Sequence, residues 1–176
     1  MDVNAIRGLK ETDSAHMHEW MQDDEVIRYL QTDFKSFTME DTRKFIETNK
    51  TIDFQGKNIH YAIVNEQDEY MGTVSLKNID FHNRNAEYAI TTRKCAHGRG
   101  YARMATEDIL NIAFEKLSLE KVYLYVSTRN VAANKFYKKV GFVEEGVFKK
   151  HMCISGELHD IVWYRLLKEE YNNLLR

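Results

Sequence analysis

Gly98 and Gly100 stand two apart in Lys94-Cys95-Ala96-His97-Gly98-Arg99-Gly100-Tyr101-Ala102, between a strand-like run, Ala86 to Thr92, and a long amphipathic pattern. Glycine lets a backbone approach an anionic ligand closely. A helix starting just behind it offers unpaired amides and the positive end of a dipole. In outline this is a cradle for a phosphate or pyrophosphate, with a tight turn as the plainer alternative. A dinucleotide fingerprint would need glycine where Arg103 stands, and no Gly-Lys-Ser/Thr follows, so Rossmann and Walker readings fail. The histidines point to no metal. His16 and His18 fall on different faces of a predicted helix, and His60, His82, His97, His151 and His159 lack ligand spacing. Cys95 and Cys153 form no Cys-x-x-Cys pair and read as reduced thiols of a cytoplasmic protein.

The chain of 176 residues suits one domain, 1–176, with a sizeable core. At 43% hydrophobic and 30% charged residues, with a net charge of −2, it carries no nucleic-acid footprint. No apolar run approaches the roughly 20 residues that span a bilayer, and the start, Met1-Asp2-Val3-Asn4, resembles no secretory signal. There is no proline-rich linker and no internal repeat.

Periodicity predicts the elements that must hold the glycine loop. Residues 3–10 alternate weakly as a first strand. Helical spacing covers Asp13 to Met21, with a second short piece over Val26 to Leu30 and the acidic Asp23-Asp24-Glu25 between them. Thr38-Met39-Glu40-Asp41 resembles a capping box that opens a helix to about Asn49. Ile59–Val64, Tyr70–Phe81 and 86–93 then form an antiparallel meander of three strands. Beyond the loop, Ala102, Ala105, Ile109, Ile112 and Ala113 give a helix of four to five turns running to Leu117, whose small first residues permit close packing on the sheet. Lys121 to Ser127 is a strand with Val122, Leu124 and Val126 on one face and Tyr123 and Tyr125 on the other. Asn130 is a good N-cap for a helix with Ala133, Phe136, Tyr137 and Val140 inward, and Gly141 ends it. Strands over Phe142–Ile154 and Glu157–Leu167 follow, then a short helix from Lys168 to Arg176. The order β-α-α-β-β-β-α-β-α-β-β is α+β with a mixed sheet.

Three segments in this order resemble the GNAT superfamily of acyl-CoA-dependent N-acetyltransferases over essentially the full length. Glu87-Tyr88-Ala89-Ile90-Thr91-Thr92 leading into His97 to Ala102 looks like the family's pyrophosphate loop. Asn130 with Asn134-Lys135-Phe136-Tyr137-Lys138-Lys139-Val140-Gly141-Phe142 is very like its Asn…Phe-Tyr-x-Lys-x-Gly-Phe. Gly156 to Asp160 with Tyr164 and Leu166-Leu167 looks like the ending of the spermidine, ribosomal-protein N-terminal and bacterial amino-sugar acetyltransferases. The resemblance implies a mostly antiparallel sheet of about seven strands flanked by helices, with strands four and five splayed around the pantetheine arm of acetyl-CoA. Cys95 departs from the usual Gln or Arg of the loop; because the cradle works through backbone amides, binding should survive, and Arg93, Lys94 and Arg99 could supply charge instead.

The resemblance also assigns roles. Acetyl transfer to an amine needs a neutral nucleophile, although a free alkylamine such as that of lysine, which titrates near about 10.4, is mostly protonated at neutral pH. It also needs a donor for the thioester oxygen and a proton for the departing thiolate. Ile90, Thr91 and Thr92 would line the arm, and His97, Gly98, Arg99, Gly100, Tyr101, Ala102 and Arg103 would hold the pyrophosphate. Asn130, Asn134 and Lys139 join the cofactor set. Tyr137 matches the family's proton donor to sulfur, against a plain core tyrosine; Glu87 matches a base acting through water, against an exposed strand carboxylate. The acceptor, a polyamine, an amino sugar or a protein N-terminus, would enter near Asp24–Phe34 and His151–His159, and the acidic clusters Asp23-Asp24-Glu25, Glu40-Asp41 and Glu66/Asp68/Glu69 would suit a polyamine. No metal is implied, and dimers are common in the family. The rival reading is a non-catalytic CoA-binding module on the same fold.

Overall fold

The first strand, β1 (Ile6–Gly8), pairs antiparallel with β2 (Ile59–Val64), at one edge of a seven-stranded sheet; the computed structural model describes residues 5–175. The strand is shorter than the weak alternation over 3–10 suggests, and positions 3 and 4 lie outside the described residues. A single 3-10 turn (Glu11–Asp13) leads into α1 (Ser14–Met21), and α2 (Asp24–Ile27) is one turn long. The predicted second piece therefore begins earlier and ends sooner: Asp23 accepts from the Glu25 amide and starts the helix inside the acidic run. The Thr38–Asp41 capping box opens α3 (Met39–Asn49) as expected.

The meander β2, β3 (Tyr70–Asp80) and β4 (Asn85–Thr92) is antiparallel throughout. The helix α4 (Tyr101–Asn111) ends in a wider π-turn over Ile112–Lys116, where the Leu117 amide reaches the Ile112 carbonyl. Then come β5 (Lys121–Ser127), α5 (Val131–Lys139), β6 (Val143–Ile154), β7 (Glu157–Leu167) and α6 (Lys168–Leu174). The predicted last helix ends at Leu174, and Arg176 lies outside the described residues. Strand order is β1-β2-β3-β4-β5-β7-β6, with β4 and β5 the parallel pair, so the expected mixed, mostly antiparallel sheet with flanking helices is what the chain builds.

The sheet separates two apolar layers. Tyr61, Val74, Leu76, Ala86, Tyr88, Val122 and Leu124 meet Ala105, Ile109, Ala113 and Phe114 on one face. On the other, Ala62 and Val64 meet Met17, Trp20, Met21 and Ile46. Ala105, Ile109 and Ala113 have no exposed area, as close approach of small residues requires. The second turn of α4 is pinned to β4 through a hydrogen bond between Tyr88 Oη and Thr106 Oγ1 at 2.8 Å. Tyr123 and Tyr125 alternate to the face of β5 opposite Val122 and Leu124, and both stack on Trp163.

The far end of β4 depends on Gly72. A Cβ there would stand 2.4 Å from the Thr91 carbonyl oxygen and 2.8 Å from Thr92 Cα. These are backbone atoms with no rotamer to escape into. Gly72→Ala is therefore expected to destabilise the fold by about 1–3 kcal/mol, the usual range for overpacking, read as a lowered urea midpoint with an unchanged m-value.

Candidate active site

β4 and β5 pair over only three rungs, Asn85↔Lys121, Ala86↔Val122 and Glu87↔Tyr123. Beyond Glu87 each strand keeps its antiparallel neighbour, β4 as far as Gly72↔Thr92 and β5 as far as Ser127↔Ile161, but the two no longer pair. A gap opens between them, bordered by backbone that has lost a pairing partner. Ile90, Thr91 and Thr92 form one bank, each half-buried.

At the mouth of that gap the chain makes a 3-10 turn over Lys94–Ala96, runs extended through His97, and enters α4 through two left-handed glycines, Gly98 at φ +72° and Gly100 at φ +89°. Nothing lies within 4 Å of where a Cβ would project from either one. The Gly100 carbonyl accepts from the amides of Arg103 and Met104. The amides of Gly98, Gly100, Tyr101 and Ala102 donate to no described residue, so four N–H groups remain at a helix start for an anion.

The charges around the loop sort differently from the expectation. Arg93 points inward, 7% exposed, and is held by Glu19 at 2.9 Å, Glu69 at 3.0 Å and the Tyr70 carbonyl. It fastens α1 to the sheet and supplies nothing to the cradle, because burying a guanidinium demands these partners. Lys94 pairs with Glu25 and Arg103 with Glu107. Arg99 lies over the Tyr101 ring and has no ion-pair partner among the described residues, so it is the loop cation left over.

On the first face, α5 brings Tyr137 to the gap. Its ring lies 6.1 Å from Tyr88 on β4 and 6.1 Å from Tyr164 on β7, the strand paired to β5. Burial holds the phenol well above its ordinary pKa, and it stays protonated through the neutral range. No buried polar side-chain atom among the described residues lacks a partner. The Tyr137 hydroxyl, which bonds to none of them, therefore opens into accessible space. Asn130 caps α5 by accepting from the Ala133 amide. Asn134 is differently engaged from the expectation. Its Nδ2 donates to the Ser127 and Asn130 carbonyls, and its Oδ1 accepts from Tyr164. With its carboxamide taken up in this way, Asn134 holds the end of β5 in place. Lys139 is exposed on the last turn.

Glu87 sits on the opposite face, on the last paired rung. It is 6% exposed, with Lys77 Nζ at 2.6 Å and Asn78 Nδ2 at 2.9 Å. Asn78 reaches it because β3 bulges there with φ +50°. Burial, and then the Glu87 charge, push the neighbouring Tyr125 phenol up. On this same face a cleft of about 890 Å³ opens between the α2 segment and the β6–β7 turn, lined by residues within Asp24–Lys35, Arg129 and Ile154–His159. That is where the acceptor was expected to enter. Its lining includes His159, whose partner spacing did not reveal: Ser127 Oγ lies 2.7 Å from His159 Nδ1, and both residues are buried.

A family model described as an acetyltransferase (GNAT) domain matches residues 5–143. The chain belongs to the GNAT acetyltransferase family. Among its relatives, the uncharacterized N-acetyltransferase YnaD of Bacillus subtilis is 27% identical over 95% of both chains. The putative ribosomal N-acetyltransferase YdaF of Bacillus subtilis is 34% identical over 57% of this chain and 55% of its own. The crystal structure of spermidine N-acetyltransferase from Vibrio cholerae in complex with CoA and spermine has the same fold, with a TM-score of 0.85 at 24% identity over 96% of this chain and 97% of that one. A GNAT domain implies an acyl-CoA, and the open amides before α4 together with the unpaired β4 edge fit such a group, which needs an anion site at one end and strand-like pairing along its arm.

Alanine at Gly98 or Gly100 meets no clash, so its effect is on the left-handed backbone, where a Cβ costs about 1–2 kcal/mol. The double variant Gly98→Ala/Gly100→Ala is expected to remain folded and to lose most of the rise in melting temperature that acetyl-CoA gives the wild type, measured by thermal shift across a CoA titration.

Proposed function

We propose that this chain is an N-acetyltransferase that moves the acetyl group of acetyl-CoA directly to a primary amine within a ternary complex. The observation that carries the reading is the parting of β4 and β5 after three rungs beside a protonated Tyr137 phenol that no protein group occupies. Bound acetyl-CoA would supply the thioester and, on transfer, a thiolate leaving group. The cradle of Gly98, Gly100, Tyr101 and Ala102, with His97, Arg99 and Arg103 around it, holds the pyrophosphate. Ile90, Thr91 and Thr92 pair with the arm, and an amide near Ile90 faces the thioester oxygen. Asn130 and Lys139 attend the cofactor at the start and end of α5, while Asn134 acts through the strand it fixes.

Tyr137 keeps its proton at Oη and offers it to the departing sulfur. Free phenols titrate near about 10 and free thiols near about 8.5, so full transfer between the two in water is slightly uphill. The hydroxyl therefore acts first as a hydrogen-bond donor to the charge that develops on sulfur. Its proton passes to the thiolate only as the attacking nitrogen gives up one of its own to Oη, so Tyr137 ends as the phenol it began and no phenolate is left in a site where burial disfavours an anion. Glu87 is the base, acting through a water, with Lys77 and Asn78 fixing its carboxylate at the root of the gap. Cys95 and Cys153 are free and exposed, and the scheme gives neither an acyl-carrying role. No helix among the described residues is long and apolar enough to cross a membrane; a cytoplasmic setting, a metal-free reaction and a homodimer belong to the same proposal.

Tyr137→Phe is expected to lower turnover roughly a hundredfold, the scale of a lost general acid, while the acetyl-CoA-induced rise in melting temperature persists. Full activity in that variant removes Tyr137 from the chemistry. Thiol release measured across a broad amine panel tests the whole reading: binding of acetyl-CoA without release to any amine identifies a binding module instead.

A further inference from the structure

Ser127 lies 2% exposed at the end of β5, where its hydroxyl oxygen accepts the Arg129 amide at 3.2 Å. The hydroxyl proton must still find an acceptor in this buried position, and His159 Nδ1 at 2.7 Å is the one it has. Ser127 therefore donates, Nδ1 accepts, and the neutral imidazole carries its proton on Nε2. Nε2 makes no hydrogen bond to a described residue, yet no buried side-chain polar atom there lacks a partner. Nε2 is thus the open atom of a ring that lines the cleft, with Tyr29 packed edgewise 6.5 Å away. What the protein presents at that point is a fixed N–H donor, and protonation of the ring would leave it a donor.

The charges of the cleft agree. Of its four carboxylates, Asp24 is paired with Lys35, Glu25 with Lys94 and Glu157 with Arg129. Only Asp33 has no ion-pair partner among the described residues, and Arg28 adds a cation. A polyamine at neutral pH offers donors alone and would need unneutralised carboxylates; it meets mostly compensated charge and an N–H pointed at it.

We infer that His159, fixed by Ser127, selects an acceptor amine that also carries a hydrogen-bond-accepting oxygen, a carbonyl or a hydroxyl, and disfavours a polyamine. This rests on the acetyltransferase reading and narrows its substrate class. His159 is a specificity group: it stands at the other end of β5 from the Glu87 rung and takes no proton from the reacting amine.

The test is steady-state thiol release at saturating acetyl-CoA with two comparisons, trialanine amide against spermidine and glucosamine against cyclohexylamine. Wild type is expected to favour the oxygen-bearing member of at least one pair in kcat/KM. His159→Leu should lower kcat/KM for that member about tenfold more than for its partner, through KM, the scale of one lost hydrogen bond. Taking each variant as a ratio to wild type cancels differences in intrinsic amine reactivity. His159→Gln, whose carboxamide can donate, should recover most of the preference, and Ser127→Ala should fall between. Which pair responds separates carbonyl from hydroxyl recognition. Spermidine as the best acceptor, or His159→Leu acting equally on both members of each pair, overturns this inference alone. Absence of thiol release with every amine despite a thermal shift with acetyl-CoA overturns the acetyltransferase reading and this inference with it.

Discussion

Everything in the molecule depends on two parallel strands that stop pairing. Parallel rungs are evenly spaced and slanted, and slightly weaker per residue than antiparallel ones. Here β4 is tied along its whole length to β3, and β5 to β7. Each strand follows the antiparallel neighbour that holds it more strongly, so the weaker parallel seam opens after Glu87↔Tyr123. An open seam inside a sheet is costly if its amides and carbonyls stay unpaired, and a ligand lying along one bank can take their place. The two helices that follow the banks are anchored to them: α4 through Tyr88 and Thr106, α5 through Asn134 and the Ser127 carbonyl. The glycine loop and Tyr137 are consequently carried on opposite sides of one gap, with their separation set by the strands.

Most of this architecture is legible in the chain because it follows local periodicity. The apolar, β-branched run over 59–64 and the alternation over 121–127 mark β2 and β5 to the residue, and Thr38 with Asp41, Asn130 and Gly141 mark helix ends by capping chemistry. The weak places are short elements. Three residues of β1 and one turn of α2 carry too little pattern to fix their bounds. The π-turn after Asn111 keeps helical spacing in the sequence while changing its hydrogen bonds, so it reads as a continuing helix. The length of the β4–β5 seam leaves no local trace, since register between distant parallel strands is decided by their other neighbours. Its splaying comes only with the family resemblance.

Side-chain assignments fail where a charge has two uses. Arg93, beside the glycine loop in sequence, alternates inward at the end of β4 and is consumed by Glu19 and Glu69 from 74 and 24 residues away. Most members of the acidic clusters that suggest a cationic ligand prove to be half of ion pairs or caps: Asp23 caps α2, Asp41 caps α3, Asp24 meets Lys35, Glu25 meets Lys94, Asp68 meets Arg7 and Lys10, and Glu69 meets Arg93. A run of like charges in a sequence therefore says little about the field at a site until its partners are known. After that cancellation Arg99 remains beside the cradle.

The end of β5 shows how little chain is needed to serve both sides of the gap. Ser127 has one carbonyl and one hydroxyl, and both are fully employed. The carbonyl faces α5, accepting from the Asn130 amide and Asn134 Nδ2, which sets the start of the helix that bears Tyr137. The hydroxyl faces the cleft, accepting from the Arg129 amide and donating to His159. A displacement of this one residue would move the proton donor on one face and reorient the cleft's N–H on the other. Ser127 sits beyond the last β4–β5 rung, where β5 has lost one neighbour, so its place depends on the β7 pairing and on these side-chain bonds. Alanine at this position would keep the strand and its carbonyl contacts while releasing the imidazole to either tautomer. It would alter which acceptors the cleft favours before it altered how the thiolate is protonated.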